Sequence, residues 1–146
     1  VTQGLVAHHF GSRDELLRAA LQQAFAGSIE SSSLDPPSGA IDDFAADLSQ
    51  RAIDAANEEA FQFELTLEAR RRDDLLPHAR TLYDAYHEAT ASALEHVGVP
   101  TDDPDLVRLV FAALDGLVFQ QLLYGEPERT DRSLAVTLQI AEGVMK

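Results

Sequence analysis

The sequence predicts an all-α protein, and three observations support that fold class. Apolar residues recur at spacings of three and four along most of the chain, no segment alternates as a strand does, and Pro-, Gly- and Asp-rich stretches separate the periodic segments. With 146 residues and 45% hydrophobic content, the chain can form one core of ordinary size. We therefore expect a bundle of helices.

The first segment predicts two short helices that meet at a tight turn. Thr2 can cap a helix whose apolar positions include Phe10, and Gly11 provides a residue that tolerates positive φ where this helix ends. Ser12 and Glu15 then form a capping box ahead of a new apolar run. The two helices thus join at a sharp corner, with Phe10 packed between them.

The same segment contains Gly4, His8-His9-Phe10, Gly11-Ser12-Arg13 and Glu15-Leu16-Leu17. In these residues it closely resembles the recognition helix and linker helix of the tetracycline repressor (TetR) family of bacterial transcription regulators. That family carries a helix-turn-helix near its N-terminus, whose second helix lies in the major groove of DNA. The resemblance implies a TetR-like helical bundle with two parts: residues 1–25 as an incomplete DNA-binding domain and residues 26–146 as a ligand-binding and dimerisation domain.

The resemblance also implies which side chains meet DNA. The chain departs from the family at Val6-Ala7, where the family commonly has Leu-Tyr, and Ala7 cannot make the contact that this tyrosine often assists. Taken without their surroundings, two adjacent histidines on a helix are more often surface residues, and their side chains point about 100° apart, which disfavours a shared metal. The implied DNA contacts are Thr2, Gln3, Gly4, His8, His9 and Arg13.

The net charge bears on this DNA role. The chain has 11 Lys and Arg against 25 Asp and Glu, a formal charge of -14, which is the wrong sign for a free-standing nucleic-acid binder. Either DNA is not the partner or the basic part is absent. Because the chain starts at Val1 inside the motif, we expect a truncated protein that lacks the two preceding helices and binds operator DNA only with them.

The rest of the sequence predicts helices separated by helix-breaking residues. Paired prolines within residues 31–39 end the linker helix, Pro77 opens a long helix, and residues 98–104 end it. The apolar periodicity predicts helices over about 41–56, 59–72, 77–97, 105–124 and 130–144.

The penultimate helix predicts a homodimer. From Leu109 to Phe119 only Asp115 is charged, so apolar residues surround the helix and all of its sides require apolar neighbours. Small residues on this helix would let a second helix approach closely. The alternative is a helix buried centrally within one subunit. The resemblance favours the dimer, since the family typically dimerises through its last two long helices. The predicted interface residues are Leu109, Ala113, Gly116, Leu117, Leu134, Leu138 and Ala141.

The resemblance further implies a small organic effector bound among the central helices. An apolar cavity with a few polar groups suits such a ligand, although each aromatic residue can equally belong to the core. Asp115 is the sharpest candidate, because a carboxylate in an apolar run requires a hydrogen bond, a cation or water. Alternatively, Asp115 pairs with Arg108 or Gln120 of its own subunit, or caps part of the dimer contact. The candidate ligand-binding residues are Phe61, Tyr83, Tyr86, His87, Phe111, Asp115 and Phe119.

Other classes of function have little support. His78, His87 and His96 point alternately to opposite sides of one helix, and the outer two lie about 27 Å apart along it, so they cannot share a metal or a proton relay. The sequence has no phosphate loop, nucleophile elbow or zinc helix, and we expect no enzyme, cofactor or metal. A helical protein-interaction module, or a small-molecule-binding bundle without a DNA role, remains the alternative.

The rest of the composition indicates where in the cell the protein is located. Zero Cys excludes a disulfide framework, no stretch approaches 18 consecutive apolar residues, and the N-terminus does not resemble a signal peptide. We therefore expect a cytoplasmic protein with no membrane partner. Ten of the 11 basic residues are Arg and Ala is abundant, which is typical of a high-GC bacterial genome.

Overall fold

The structure is a computed structural model that describes residue 12, residues 15–20, residue 23 and residues 38–143. These described residues contain helices and no strand, which confirms the all-α prediction. Residues 15–20 are helical, and the helices that follow agree closely with the predicted ones after residue 56. In chain order they are a 3-10 turn Ile41–Asp43, α1 Leu48–Asp54, α2 Ala56–Ala69, α3 Leu76–His96, α4 Pro104–Tyr124 and α5 Pro127–Gly143.

The predicted cap at Ser12 is present. Its side-chain oxygen accepts a hydrogen bond from the Glu15 backbone N–H at 3.1 Å, and its carbonyl oxygen accepts one from the Leu16 N–H at 3.1 Å. Ser12 thereby satisfies a backbone donor that has no partner within the first turn of a helix. Outside the described residues lie the boundary predicted at residues 25 and 26 and the predicted DNA contacts Thr2, Gln3, Gly4, His8, His9 and Arg13.

Helix α4 is the centre of the fold and contacts α1, α2, α3 and α5. Asp103 caps its start by accepting a hydrogen bond from the Asp105 backbone N–H at 2.9 Å, and Gly125 ends it with a φ of 65°. By length and composition alone, α4 could cross a membrane. Its contacts with four other helices account for the apolar residues on its inward sides.

The largest core cluster lies between α1, α4 and α5. Phe44 and Leu94 are completely buried in it, and Val99, just after α3, closes one end. The carbonyl of Leu94 accepts a hydrogen bond from the Val99 N–H at 2.9 Å, which folds the chain back onto the core after α3 ends. Further members of the cluster are Leu48, Val107, Val110, Leu114, Leu134, Leu138 and Ala141.

The helix predicted over 41–56 is interrupted, so this prediction is wrong in its first half. The chain makes a 3-10 turn at Ile41–Asp43, passes through Ala45 at a φ of 52°, and becomes α-helical only at Leu48. A left-handed alanine costs roughly 1 kcal/mol, but the turn buries Phe44 and Ala45 completely, side by side in the core. Apolar spacing does not reveal such a turn.

Helical residues 15–20 pack on the corner where α2 ends and α3 begins. The Arg18 guanidinium lies 3.7 Å from the Asp74 carboxylate in the turn between the two helices. Beneath this ion pair, apolar side chains form a second core cluster, which connects the N-terminal segment to the rest of the chain. Its members are Leu65, Ala69, Leu75 and Ala79, with Leu17 and Ala20 packed against them.

Candidate functional site

Aromatic side chains of α3 and α4 meet in one cluster. Tyr83, Tyr86 and His87 are spaced by three and four residues, which places them on one side of α3. The ring of Phe111 on α4 stacks on Tyr86 with centroids 5.5 Å apart, and Tyr83 and His87 meet it edge-on at 5.6 and 5.0 Å. The structure thus brings together four of the aromatic and imidazole rings predicted for a ligand site.

Helix α2 adds polar groups to this cluster. The Tyr86 hydroxyl donates a hydrogen bond to the Gln62 side-chain oxygen at 2.9 Å, which joins α3 to α2. Glu59, Gln62 and Thr66 follow one another at spacings of three and four along the same side of α2. The Thr66 hydroxyl oxygen is buried and has no hydrogen-bond partner among the described residues. The site is therefore a mixed polar and aromatic junction of three helices.

Asp115 lies one turn after Phe111 on α4 and faces this junction. Burial, and to a lesser extent the Glu59 carboxylate, raise the pKa of Asp115 to about 6, and a hydrogen bond from Tyr83 opposes the shift. Burial, and then the Asp115 charge, raise the pKa of the Tyr83 hydroxyl to about 12. The pKa of Glu59 is also raised, mainly by burial and against the opposing charge of Arg51. Two carboxylates thus face one partly desolvated space.

The hydrogen bond from Tyr83 answers a question that the sequence left open. Arg108 and Gln120, the alternative partners for Asp115, are both exposed on α4. Asp115 is instead directed toward α2 and α3, where Tyr83 donates to it and Glu59 repels it. Its partners therefore belong to other helices, as expected for a group that lines a site between elements.

The other two predicted ligand residues lie at or beyond the edge of the junction. Phe119, one turn after Asp115, meets Phe63 of α2 edge-on with centroids 5.1 Å apart and is partly exposed. Phe61 is also exposed, and since it lies two residues from Phe63 on a helix, the two side chains point about 200° apart. The structure thus places Phe63 and Phe119 at the rim and directs Phe61 away.

Sequence reasoning missed the contribution of α2. Glu59, Gln62 and Thr66 were not among the predicted site residues, because polar residues on one side of a helix look like a solvated surface. Their spacing of three and four residues matches that of a helix face, and this was the available signal. Only the packing of α3 and α4 against that face shows that it is partly buried.

An open groove leads from the solvent to the aromatic cluster. It lies between α3 and the start of α4 and has a volume of about 720 Å³. Tyr83 and His87 form part of its wall, so the cluster has an approach from solvent. The other lining residues are Asp84, Glu88, Ala91, Thr101, Pro104, Asp105, Val107 and Arg108.

The predicted dimer residues fall into two groups. Leu134, Leu138 and Ala141 are buried in the core of their own chain, where they pack with α1 and α4. Their side chains are not available to contact a second copy of the chain, because the core of their own subunit already buries them. Leu109 is 59% exposed, whereas Ala113, Gly116 and Leu117 are half-buried. Of the predicted interface residues, those that a second copy can contact therefore lie on the outward side of α4.

The outward side of the α4–α5 pair carries exposed apolar residues. Leu109, Gly116 and Leu123 recur every seven residues on α4, and a Cβ added to Gly116 would meet no heavy atom within 4 Å. Val136 and Ile140 are exposed on α5. We call these five residues the outer face. Their spacing leaves room for another helix to approach at Gly116.

Comparison with known proteins gives one match. The family described as "Tetracyclin repressor-like, C-terminal domain" matches residues 36–141, which include α1 to α4, most of α5 and every residue of the junction. No curated protein and no solved structure matches the chain. The matched range shares no residue with the N-terminal motif at residues 4–17, so the two similarities are independent of each other.

Proposed function

This chain belongs to the tetracycline repressor family, and from that premise we propose that it is a ligand-responsive transcriptional repressor. The observation that carries the proposal is the junction of α2, α3 and α4, where aromatic rings surround a carboxylate with a raised pKa. Groups of this kind, reachable from solvent and outside the main apolar core, are typical of a small-molecule site. We propose no catalytic activity.

The effector is a small molecule with an apolar or aromatic frame and at least one polar group. Tyr83, Tyr86, His87 and Phe111 supply the ring surface, and Asp115 orients the polar group. Phe119 contacts a ligand only at the rim, next to Phe63. This assignment uses the predicted residues that converge and leaves out Phe61, which points elsewhere.

Helix α2 provides the connection from the ligand to the N-terminal segment. One side of α2 carries Gln62 and Thr66 at the junction, whereas Leu65 and Ala69 on the same helix pack with helical residues 15–20. A helix moves as a rigid element, so a ligand that displaces α2 at the junction also shifts its packing against residues 15–20. The effector thereby changes the position of the DNA-reading segment.

The active form is a homodimer on palindromic operator DNA. A two-fold dimer places two recognition helices at the spacing of successive major grooves. The outer face of α4 and α5 supplies the contact, because its apolar residues are exposed in a single chain and Gly116 allows close approach. A cytoplasmic location in a bacterium completes the proposal, with no membrane partner.

Operator binding by the full-length protein tests the function. A gel-shift assay at low salt should show binding to DNA upstream of its own gene or of adjacent genes, and a small molecule that raises the melting temperature should weaken that binding. Failure to bind any upstream region would contradict a DNA-binding role. Light scattering should give a dimer at micromolar concentration, and a monomer would contradict the role of the outer face.

A second candidate is a helical protein-interaction module without a DNA role. The net charge of -14 favours it, because this charge repels the phosphate backbone. The same gel-shift assay separates the two functions. Binding that weakens steeply with salt and prefers one sequence supports the repressor, whereas a lack of DNA binding at low salt supports the module.

A further inference from the structure

We propose that the effector carries an ammonium group on a short chain, and that this group lies in the groove between α3 and the start of α4 while an aromatic frame packs on Tyr83 and His87. The inference rests on the proposed function and specifies the chemistry of its ligand. Three features of the groove support it: its size and length, the rings at one end, and the charges along its walls.

The groove is large and elongated. Its volume is about 720 Å³, within the range of roughly 300–1,000 Å³ that is typical of small-molecule sites. Tyr83, His87 and Ala91 line it at intervals of four residues. Since a helix rises roughly 1.5 Å per residue, the groove follows about 12 Å of α3. These dimensions suit a ring joined to a flexible chain better than a compact ring system.

One end of the groove is the aromatic cluster. Tyr83 and His87 belong to both, and each meets the Phe111 ring edge-on, with centroids 5.6 and 5.0 Å apart. Phe111 is buried and does not line the groove, so it supports the two rings from behind. Such rings bury hydrocarbon and attract ammonium groups through their electron-rich faces. An aromatic frame at this end leaves the rest of the groove to the chain and its charged group.

The charges that line the groove favour a cation. Asp84 and Glu88 on α3 and Asp105 on α4 are exposed carboxylates, and Arg108 is the only Lys or Arg in the lining. Among the described residues, none of these four side chains forms an ion pair. Three carboxylates and one guanidinium give the groove a net negative charge. A cleft with an excess of one charge attracts ligands of the opposite sign, and an ammonium group complements this one.

The spacing of the carboxylates favours an organic cation over a metal ion. Magnesium and calcium require six or more oxygen ligands around one point. Asp84 and Glu88 lie one turn apart on α3, and Asp105 lies on the other wall of the groove. Among the described residues, no group of three or more His, Asp or Glu side chains could hold a metal ion. An ammonium group on a flexible chain needs no fixed coordination shell and therefore suits carboxylates distributed along a groove.

Three molecules of similar shape that differ in charge test the proposal. 4-Phenylbutylamine carries an ammonium group, 4-phenylbutanol a neutral hydroxyl group and 4-phenylbutanoate a carboxylate. Calorimetry with the full-length protein at pH 7.5 and low ionic strength should give the amine a Kd at least about fivefold below that of the alcohol, and the carboxylate the highest Kd. The preference for the amine should shrink in about 0.5 M salt, because salt screens exposed charges.

Two substitutions in the groove should act with opposite signs. Glu88→Gln removes a carboxylate and should raise the Kd of the amine about threefold, whereas Arg108→Gln removes the opposing cation and should lower it about twofold. Neither should change the Kd of the alcohol, since a purely structural effect would weaken the binding of both molecules. The control is Asp131→Asn, which removes an exposed carboxylate from α5 and should leave all three Kd values unchanged.

Three outcomes would overturn the inference. The first is the alcohol binding as tightly as the amine, which would leave the ligand site of the proposed function intact with a neutral effector. The second is an affinity for the amine that neither Glu88→Gln nor Arg108→Gln changes, because the ammonium group would then lie outside the groove. The third is binding of none of the three molecules at millimolar concentration, and operator binding then tests the repressor proposal separately.

Discussion

The two inward sides of α4 are built on different physical principles. Toward α1 and α5 the helix presents Val110 and Leu114, which are buried in a close-packed apolar cluster. Toward α2 and α3 it presents Phe111 and Asp115, with stacked rings and a carboxylate whose pKa burial raises to about 6. The first side stabilises the fold, whereas the second retains a charge at a cost in stability. We infer that the second side is kept for binding.

Truncation of Leu114 should have the largest effect on stability among the changes that test this difference. Leu114 is 3% exposed, so Leu114→Ala removes buried methyl groups and leaves a cavity, and we expect a loss of about 2–5 kcal/mol in the free energy of unfolding. Urea unfolding at a fixed protein concentration measures it. Leu67→Ala on α2, where the side chain is 57% exposed, should cost less than about 0.5 kcal/mol. Equal losses would mean that this side is not the stabilising core.

Neutralising Asp115 should raise the free energy of unfolding, whereas truncating Leu114 should lower it. The folded-state pKa of about 6 lies above the unfolded value of 3.8, so ionisation favours the unfolded chain as the pH rises through this interval. Asp115→Asn removes this penalty, and because the carboxyl group is only half-buried, we expect stabilisation of about 1–2 kcal/mol at pH 8. At pH 3, which lies below both pKa values, the carboxyl is largely protonated in both states, and the variant and the parent should differ little.

The control for Asp115→Asn is Asp131→Asn, which removes an exposed carboxylate from α5. It should change the free energy of unfolding by less than about 0.5 kcal/mol at either pH. If Asp115→Asn destabilises the protein at pH 8, Asp115 is a structural group, and the contrast between the two sides of α4 fails.

Removing the Tyr86 hydroxyl should have a smaller effect. Tyr86→Phe keeps the ring that stacks on Phe111 and removes the donor to Gln62, so we expect a loss of about 0.5–1.5 kcal/mol. Thermal unfolding measures it, and Tyr124→Phe on an exposed tyrosine is the matched control. A loss as large as that of Leu114→Ala would show that the junction contributes to stability as much as the core does.

The same two sides of α4 differ in how far the sequence predicts them. The ends of α3 and α4 follow from local chemistry, since Pro77, Pro104 and Gly125 stop or start helices wherever they occur. The rings on α3 and Asp115 on α4 stand out against their neighbours, so both were predicted. Leu134 and Leu138 have a spacing that suits an interface or a core equally well, and only the packed structure distinguishes them.

The residues of α2 show why the rest of the site could not be predicted. Glu59 and Gln62 are ordinary residues for a solvated helix face, and no local signal indicates that another helix covers them. The turn at Ala45 is similar, because alanine rarely adopts a positive φ and nothing in its neighbours demands one. Long-range packing decides both features, and apolar spacing reports only on contacts within one helix.

A substitution on the outward side of α4 should change the stability of a single chain least and the formation of a dimer most. Leu109 is 59% exposed, so Leu109→Ser should change the unfolding of a single chain by less than about 0.5 kcal/mol. If the outer face is buried in a dimer, the same change should raise the dimer dissociation constant at least about tenfold. Leu67→Ser on α2, at 57% exposure, removes the same side chain from a surface outside the outer face. Sedimentation across a dilution series measures both variants, and equal dissociation constants would place the dimer contact away from α4.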